Sequence, residues 1–307
     1  MLLRALLLFA SVGNIPDESL VRDKAGHVIE VDLRGSWIAD PDLKTLGALP
    51  DLRRLDLSHT RVTDPGFAYL KPLRNVTSLN LYYAEQVGDG ALAAIKDWTR
   101  LKQLNLRGTK VTDAGLAHLS GMTALEDLDI GFALITDGGF DRLGALTGLK
   151  SLSIGGNKIT DAGLTGLRLM PQLERLDVSG SQRTDSGLWF ATVTDQGLET
   201  IAGLPLLRVL NLRGTKISDA ALPKLAALAE LRELDLGETQ ISAKGLTALP
   251  RKIEVLSLAK AVKIGDDAIA AIAALPNLKW VDLQGAKVTP AGLERLRAAH
   301  PGCTILQ

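Results

Sequence analysis

Two hydrophobic rhythms alternate along the chain. A short run with apolar residues at i, i+3 and i+5 is followed by a stretch with apolar residues at helical spacing. The pair restarts usually every 24 residues. Leu101-x-x-Leu104-x-Leu106 leads into Gly108-Thr109-Lys110-Val111-Thr112-Asp113-Ala114-Gly115-Leu116 and then Leu119, and the same string restarts at Leu125, Leu149 and Leu173. The triplets run from Val28/Val31/Leu33 through Leu52/Leu55/Leu57 to Leu278/Val281/Leu283, eleven in all. Their L-x-L alternation predicts a short strand with one buried face, and Leu116, Leu119 and Met122 predict a helical turn after it. Self-similarity of this period marks a solenoid, in which each unit packs only on its neighbours. Asp40, Asp64, Asp89, Asp113, Asp137, Asp161, Asp219 and Asp266 recur where each helix should start. They are expected to cap its orphan N–H groups, with Pro41 and Pro65 at the tolerant first helical position.

The pattern resembles the leucine-rich repeat family over about residues 28 to 305. The string L-x-x-L-x-L-x-x-N/C/T-x-L is matched at 52–62, 101–111, 149–159, 207–217 and 231–241, and the T-D-x-G-L extension is similar to the bacterial and cysteine-containing subtypes. The resemblance implies an α/β horseshoe of about eleven repeats, with a parallel sheet on the concave face and helices on the convex face. Strands stack about 4.8 Å apart whereas helices need about 8–10 Å, so the array should curl by about 20° per repeat with strands inside. The resemblance also implies that Thr60, Thr109, Asn157, Thr215 and Thr239 tie adjacent coils. Coils carrying Ala84, Ala133, Ala261 or Ala286 instead should then be held less firmly. The chain divides into an N-terminal segment, 1–27, and a repeat domain, 28–307, with an insertion near 182–195.

That insertion is the largest departure from period. Leu173 and Leu207 lie 34 residues apart, and T-D-x-G-L occurs twice between them, at 184–188 and 194–198. The extra residues carry Trp189 and Phe190, which either form a contact site on a projecting loop or fold back as a satellite core. A second departure follows the strands. Where Gly35, Gly108, Gly156, Gly180, Gly214 and Gly285 stand, three early repeats have His59, Tyr83 and Phe132, with Tyr82 beside them. Together with Arg107 these form a candidate aromatic rim for a peptide or a sugar, ordinary loop packing being the other reading. The predicted concave column is Asp32, Asp56, Asn80, Asn105, Asp129, Ser153, Asp177, Asn211, Asp235, Ser257 and Asp282. Asp127 and Trp280 stand in the column beside it. The floor is mixed but acidic, read either as a solvated face with weak Arg–Asp pairs or as a surface complementary to a basic protein patch.

Composition narrows the classes. Lys plus Arg and Asp plus Glu both number 35, and no basic run stands out, which argues against nucleic acid. The lone Cys303 permits no intramolecular disulfide. No stretch reaches the length of a transmembrane helix. Residues 1–13, MLLRALLLFASVG, read as a signal peptide or as a helix capping the first coil, and the first reading favours an exported protein over a cytoplasmic one. His27, His59, His118 and His300 lack ligand spacing, and no nucleophile elbow, phosphate loop or H-E-x-x-H is present. The expectation is a non-catalytic, monomeric protein-interaction scaffold without cofactor or metal. Its alternatives are an exported carbohydrate or envelope-ligand binder and the substrate-recognition subunit of a ligase-type complex. An F-box has no room before Val28.

Overall fold

The computed structural model describes residues 15–184 and 187–307, and side chains outside 181–186. Both readings of residues 1–13 fall outside that range. The strands are β1 (Leu20–Arg22), β2 (Val28–Asp32), β3 (Arg54–Asp56), β4 (Ser78–Asn80), β5 (Gln103–Asn105), β6 (Asp127–Asp129), β7 (Ser151–Ser153) and β8 (Arg175–Asp177). They continue with β9 (Ser181–Thr184), β10 (Gly187–Phe190), β11 (Val209–Asn211), β12 (Glu233–Asp235), β13 (Val255–Ser257), β14 (Trp280–Asp282) and β15 (Thr304–Leu306). Among the described residues, thirteen of them form one open sheet in the order β1 to β8, then β11 to β15. The pairing is parallel from β2 onward, and β1 closes the first edge antiparallel. The chain is an α/β leucine-rich repeat solenoid.

Register follows from the middle apolar residue of each triplet. Val31, Leu55, Leu79, Leu104, Leu128, Leu152 and Leu176 pair in a straight column that continues through Leu210, Leu234, Leu256 and Val281. All of them are buried, and so are most of the leucines, isoleucines and valines of the segments behind them. The convex side is a mixture of short α and 3-10 turns. Asp40–Leu46 and Asp89–Ile95 are α-helical, whereas Gly163–Leu169 and Leu222–Ala227 are wholly 3-10. A 24-residue repeat leaves few residues for the convex turn, and the tighter 3-10 geometry suits short pieces.

The aspartate column does something other than the expected capping. Asp113 is the first helical residue, and the cap is Thr112, whose hydroxyl accepts from Ala114 N–H. The Asp113 carboxylate instead accepts from the backbone N–H (2.8 Å) and hydroxyl of Thr136 in the next repeat. Asp89 does the same with Thr112, Asp137 with Thr160, Asp195 with Ser218, Asp219 with Ser242 and Asp266 with Thr289. The physical reason is reach: at the first helical position the side chain points across to the neighbouring coil. This also explains the glycine of T-D-x-G-L. A Cβ on Gly115 would lie 2.3 Å from the Asp89 carboxylate, so this clamp is built against a bare backbone, whereas the Asp195 clamp stands beside Ala221 at the equivalent position.

The conserved-looking polar position also behaves differently. Thr60, Thr109, Thr215 and Thr239 donate to the carbonyl three residues back in their own repeat. Only Asn157 of this set is seen bridging coils, donating to Ile130 O and accepting from Ile135 N–H. The loop around Ala133 is therefore anchored by its neighbour.

Candidate functional site

After each of the eleven repeat strands, β2 to β8 and β11 to β14, the chain turns through one residue in the left-handed region. Six repeats use glycine there, and five hold His59, Tyr83, Phe132, Glu238 and Lys260 at φ between 50° and 55°. A side chain at such a position is strained, by about 1–2 kcal/mol. Nine of these turns are fixed by the preceding strand end. Asp32, Asp56, Asn80, Asn105, Asp129, Asp177, Asn211, Asp235 and Asp282 all accept the N–H two residues on. Much of the acidity of the sheet face is thus engaged in closing strands. Burial pushes the Asp129 and Asp235 carboxyls above the usual carboxylate range, against the hydrogen bonds and arginines that pull them down.

The left-handed turns deliver the aromatic rings to one edge of the sheet. His59 and Tyr83 stack with centroids 5.8 Å apart, and Tyr82 meets both edge-on, at 5.2 and 4.7 Å. The Tyr83 ring covers Gly108, where a Cβ would come within 2.8 Å of it. One repeat further, the Arg107 guanidinium lies 4.5 Å over the Phe132 ring, 3.7 Å from Asp129 and 3.3 Å from the Ser153 hydroxyl. Phe132 itself spreads over Gly156 and Gly180. The structure therefore joins His59, Tyr82 and Tyr83 in one cluster, with Arg107, Phe132 and Asp129 adjoining it through the Tyr83 N–H bond to Arg107 O. Beside them, the sheet face of the first five repeats encloses a cavity of about 450 Å3, lined by residues that include Asp32, Asp56, Asn80, Asn105, Asp127 and Asp129.

Other candidates stand apart. Asp177 closes β8 on Ser179 N–H. Trp280 is half-buried in β14 beside Val255 and Thr304, far along the array from the rings. Trp189 and Phe190 belong to the hairpin β9–β10, in which Phe190 pairs with Ser181 and Leu188 with Arg183. The hairpin occupies 181–190, and residues 191–195 resume the repeat. The first T-D-x-G-L copy is therefore not a helix start: Thr184 ends β9 and Gly187, at φ 118°, opens β10. The second copy starts the helix Asp195–Ile201, because its Thr194 receives the clamp from Asp161. Reading only the early repeats misses Glu238 and Lys260 at left-handed turns. The column three residues after each concave position marks them in the sequence. Among the described residues no group of three His, Cys, Asp or Glu side chains is placed to hold a metal. No described helix is long and apolar enough to cross a membrane.

The model of the family described as Leucine Rich repeat matches residues 48–70, 99–120, 146–167 and 230–249. Among curated proteins no sequence matches. The fold is similar to that of an internalin (inlF) from Listeria monocytogenes, with TM-score 0.69 and 24% identity over 94% of this chain and 77% of that one. An internalin C2 (inlC2) from the same organism gives TM-score 0.51 and 26% identity over 72% of this chain and 84% of that one. The ectodomain of the Arabidopsis receptor kinase HAESA, solved with a peptide hormone ligand, gives TM-score 0.60 and 16% identity over 91% of this chain and 46% of the receptor chain. The repeating triplets, the single parallel sheet and the four family matches make this chain a leucine-rich repeat protein.

Proposed function

We propose that the chain is a non-catalytic recognition scaffold that binds a protein segment across the sheet face of its first five repeats. The observation that carries this reading is the aromatic cluster, with His59 and Tyr83 at left-handed turns, that directly follows the strands lining the 450 Å3 cavity. Side chains held at unfavourable φ where glycine would serve are a recognised mark of a functional surface. The cavity lining carries five carboxylates, Glu30, Asp32, Asp56, Asp127 and Asp129, against the guanidinium groups of Arg34 and Arg54. A basic, extended segment suits that floor, with the rings gripping its flank. The HAESA ectodomain, similar in fold, was solved with a peptide hormone ligand, which supports a peptide as the occupant. Export belongs to the same reading, and sequencing of the mature N-terminus tests it: retention of residues 1–13 removes it.

The experiment is affinity capture from native lysate and envelope fractions with the parent protein and with a Tyr82→Ala, Asp129→Arg variant. The parent should retain a partner that the variant loses. Equal retention by both would sink the proposal.

A further inference from the structure

The hairpin β9–β10 stands beside a pocket on the other half of the array. Leu188 and Phe190 are alternate residues of β10 and so share a face. That face looks toward the turns of the next two repeats, and the half-open pocket between them, about 310 Å3, is lined by Gly180, Leu188, Phe190, Arg213, Gly214 and Glu238. Leu188 is 58% exposed, which excludes a satellite core as its role. The floor at Gly214 is open, since a Cβ there would meet nothing within 4 Å. A pocket of this size sits at the lower end of ligand cavities, about 300–1,000 Å3, and suits one bulky side chain with its neighbours rather than a cofactor.

Charge says what those neighbours are. Glu238 is shared by Arg213 at 2.8 Å and Lys260 at 3.2 Å, and Lys216 stands 5.2 Å over the Phe190 ring. Arg213 and Glu238 line the pocket, and among the described side chains Lys260 and Lys216 stand next to that lining, on Glu238 and on the Phe190 ring. Two of the four, Glu238 and Lys260, are held at positive φ, as the aromatic residues are at the other site. We propose that this pocket docks a polypeptide segment in which a bulky apolar side chain is flanked by Asp or Glu. The apolar side chain packs against Leu188 and Phe190, and the flanking carboxylates face Lys216, Arg213 and Lys260. The two halves of the solenoid then select opposite charges, basic at the aromatic rim and acidic at the hairpin.

The test is selection of phage-displayed random heptapeptides on the immobilised full-length protein. Enriched sequences are then made as fluorescent peptides and titrated by anisotropy. The expected consensus is an aromatic or branched apolar residue next to Asp or Glu. Leu188→Ser and Lys216→Glu should each weaken binding at least tenfold, and deletion of residues 181–190 should abolish it. Leu188 and Lys216 are exposed, and an unchanged circular dichroism melt of these variants excludes unfolding as the cause. The Tyr82→Ala, Asp129→Arg variant should bind these peptides like the parent, so this site and the aromatic rim fail or stand separately. No enrichment over bare support, a basic consensus, or equal binding by Leu188→Ser would each overturn the proposal.

Discussion

At the left-handed turn, the usual effect of a glycine substitution should invert. Lys260 is held at φ 55° with its ammonium exposed, and its ion pair to Glu238 is too solvated to contribute much. Lys260→Gly removes the strain and should raise stability by up to about 1 kcal/mol. Gly108→Ala should lower it by more than about 1 kcal/mol, because φ is +72° and the new Cβ would meet the Tyr83 ring. Urea titration of both variants measures the pair, and a loss in Lys260→Gly would remove strain from the argument. Asp129 gives a residue-scale prediction with a pH signature. Its folded-state carboxyl is raised by burial, so its contribution to stability is complete below the unfolded value of about 4 and is lost as pH rises through the folded value. Asp129→Asn keeps the acceptor for Gly131 N–H, as Asn80 and Asn105 do in their own repeats. The variant should be more stable than the parent at pH 7, and the gap should close below about pH 4. A gap that widens on acidification would show that the Arg107 pair outweighs burial.

Between neighbouring elements, the T-D-x-G-L string works as an interlocking set. Asp89→Ala frees the Thr112 N–H and should cost about 1–2 kcal/mol, and Gly115→Ala should cost a comparable amount through collision with the Asp89 carboxylate. Because the second cost depends on the first residue, the double variant should be less destabilised than the sum, with a coupling of about 1 kcal/mol or more. Strict additivity would contradict the clamp. The positions were legible in the sequence, but their partners were not: a recurring Asp before a helix looks like a cap until the adjacent coil is placed beside it. The edge where strands begin shows a related rule. In-register stacking would set like charges side by side; from Lys102 to Glu174 and from Arg232 to Lys279 the chain alternates them, with Arg208 and Arg232 the like-charged neighbours between. Lys102 and Lys150 flank Glu126 at 3.1 and 2.7 Å, and Arg232 and Lys279 flank Glu254. Hydrogen bonds from Lys150 and Lys102 hold the Glu126 carboxyl below its ordinary range, and Lys279 does the same for Glu254. Their contributions are present above the ordinary Glu value and fade as pH falls through the lowered one. Lys150→Glu would place three acids in line with Glu126 and Glu174. It should therefore lower the melting temperature in dilute buffer and leave it nearly unchanged in 1 M NaCl, where the Debye length is about 3 Å.

For the molecule as a whole, period alone disclosed the solenoid, its eleven coils and the face that carries the rings. It did not disclose β1, whose three residues have no periodicity to show, nor which of two identical T-D-x-G-L strings starts a helix. That choice is tertiary: the helix starts where Asp161 reaches Thr194. The same long-range contacts show that the insertion does not break the stack. β8 pairs directly with β11, Val178 N–H reaches Asn211 O, and Thr192 N–H reaches Ile159 O beyond the hairpin. The expectation that the coil carrying Ala133 is held less firmly therefore loses its ground, since Asn157 anchors it, and continuous pairing carries the stack past the insertion. Without residues 181–190, Leu173 and Leu207 stand 24 apart, and Val178-Ser179-Gly180 runs into Ala191-Thr192-Val193-Thr194-Asp195 in the register of Ile154-Gly155-Gly156-Asn157-Lys158-Ile159-Thr160-Asp161. Gly180 already holds the left-handed conformation that this turn needs, at φ 86°. A shorter connection also lowers the entropy cost of closing the loop. Deleting the ten residues should accordingly leave stability within about 1 kcal/mol of the parent. Hydrogen exchange of the interior repeats should be unaltered, because each coil depends only on its neighbours. Protection lost through the coils on both sides of the junction would mean that the hairpin is a structural part of the solenoid rather than a module carried by it.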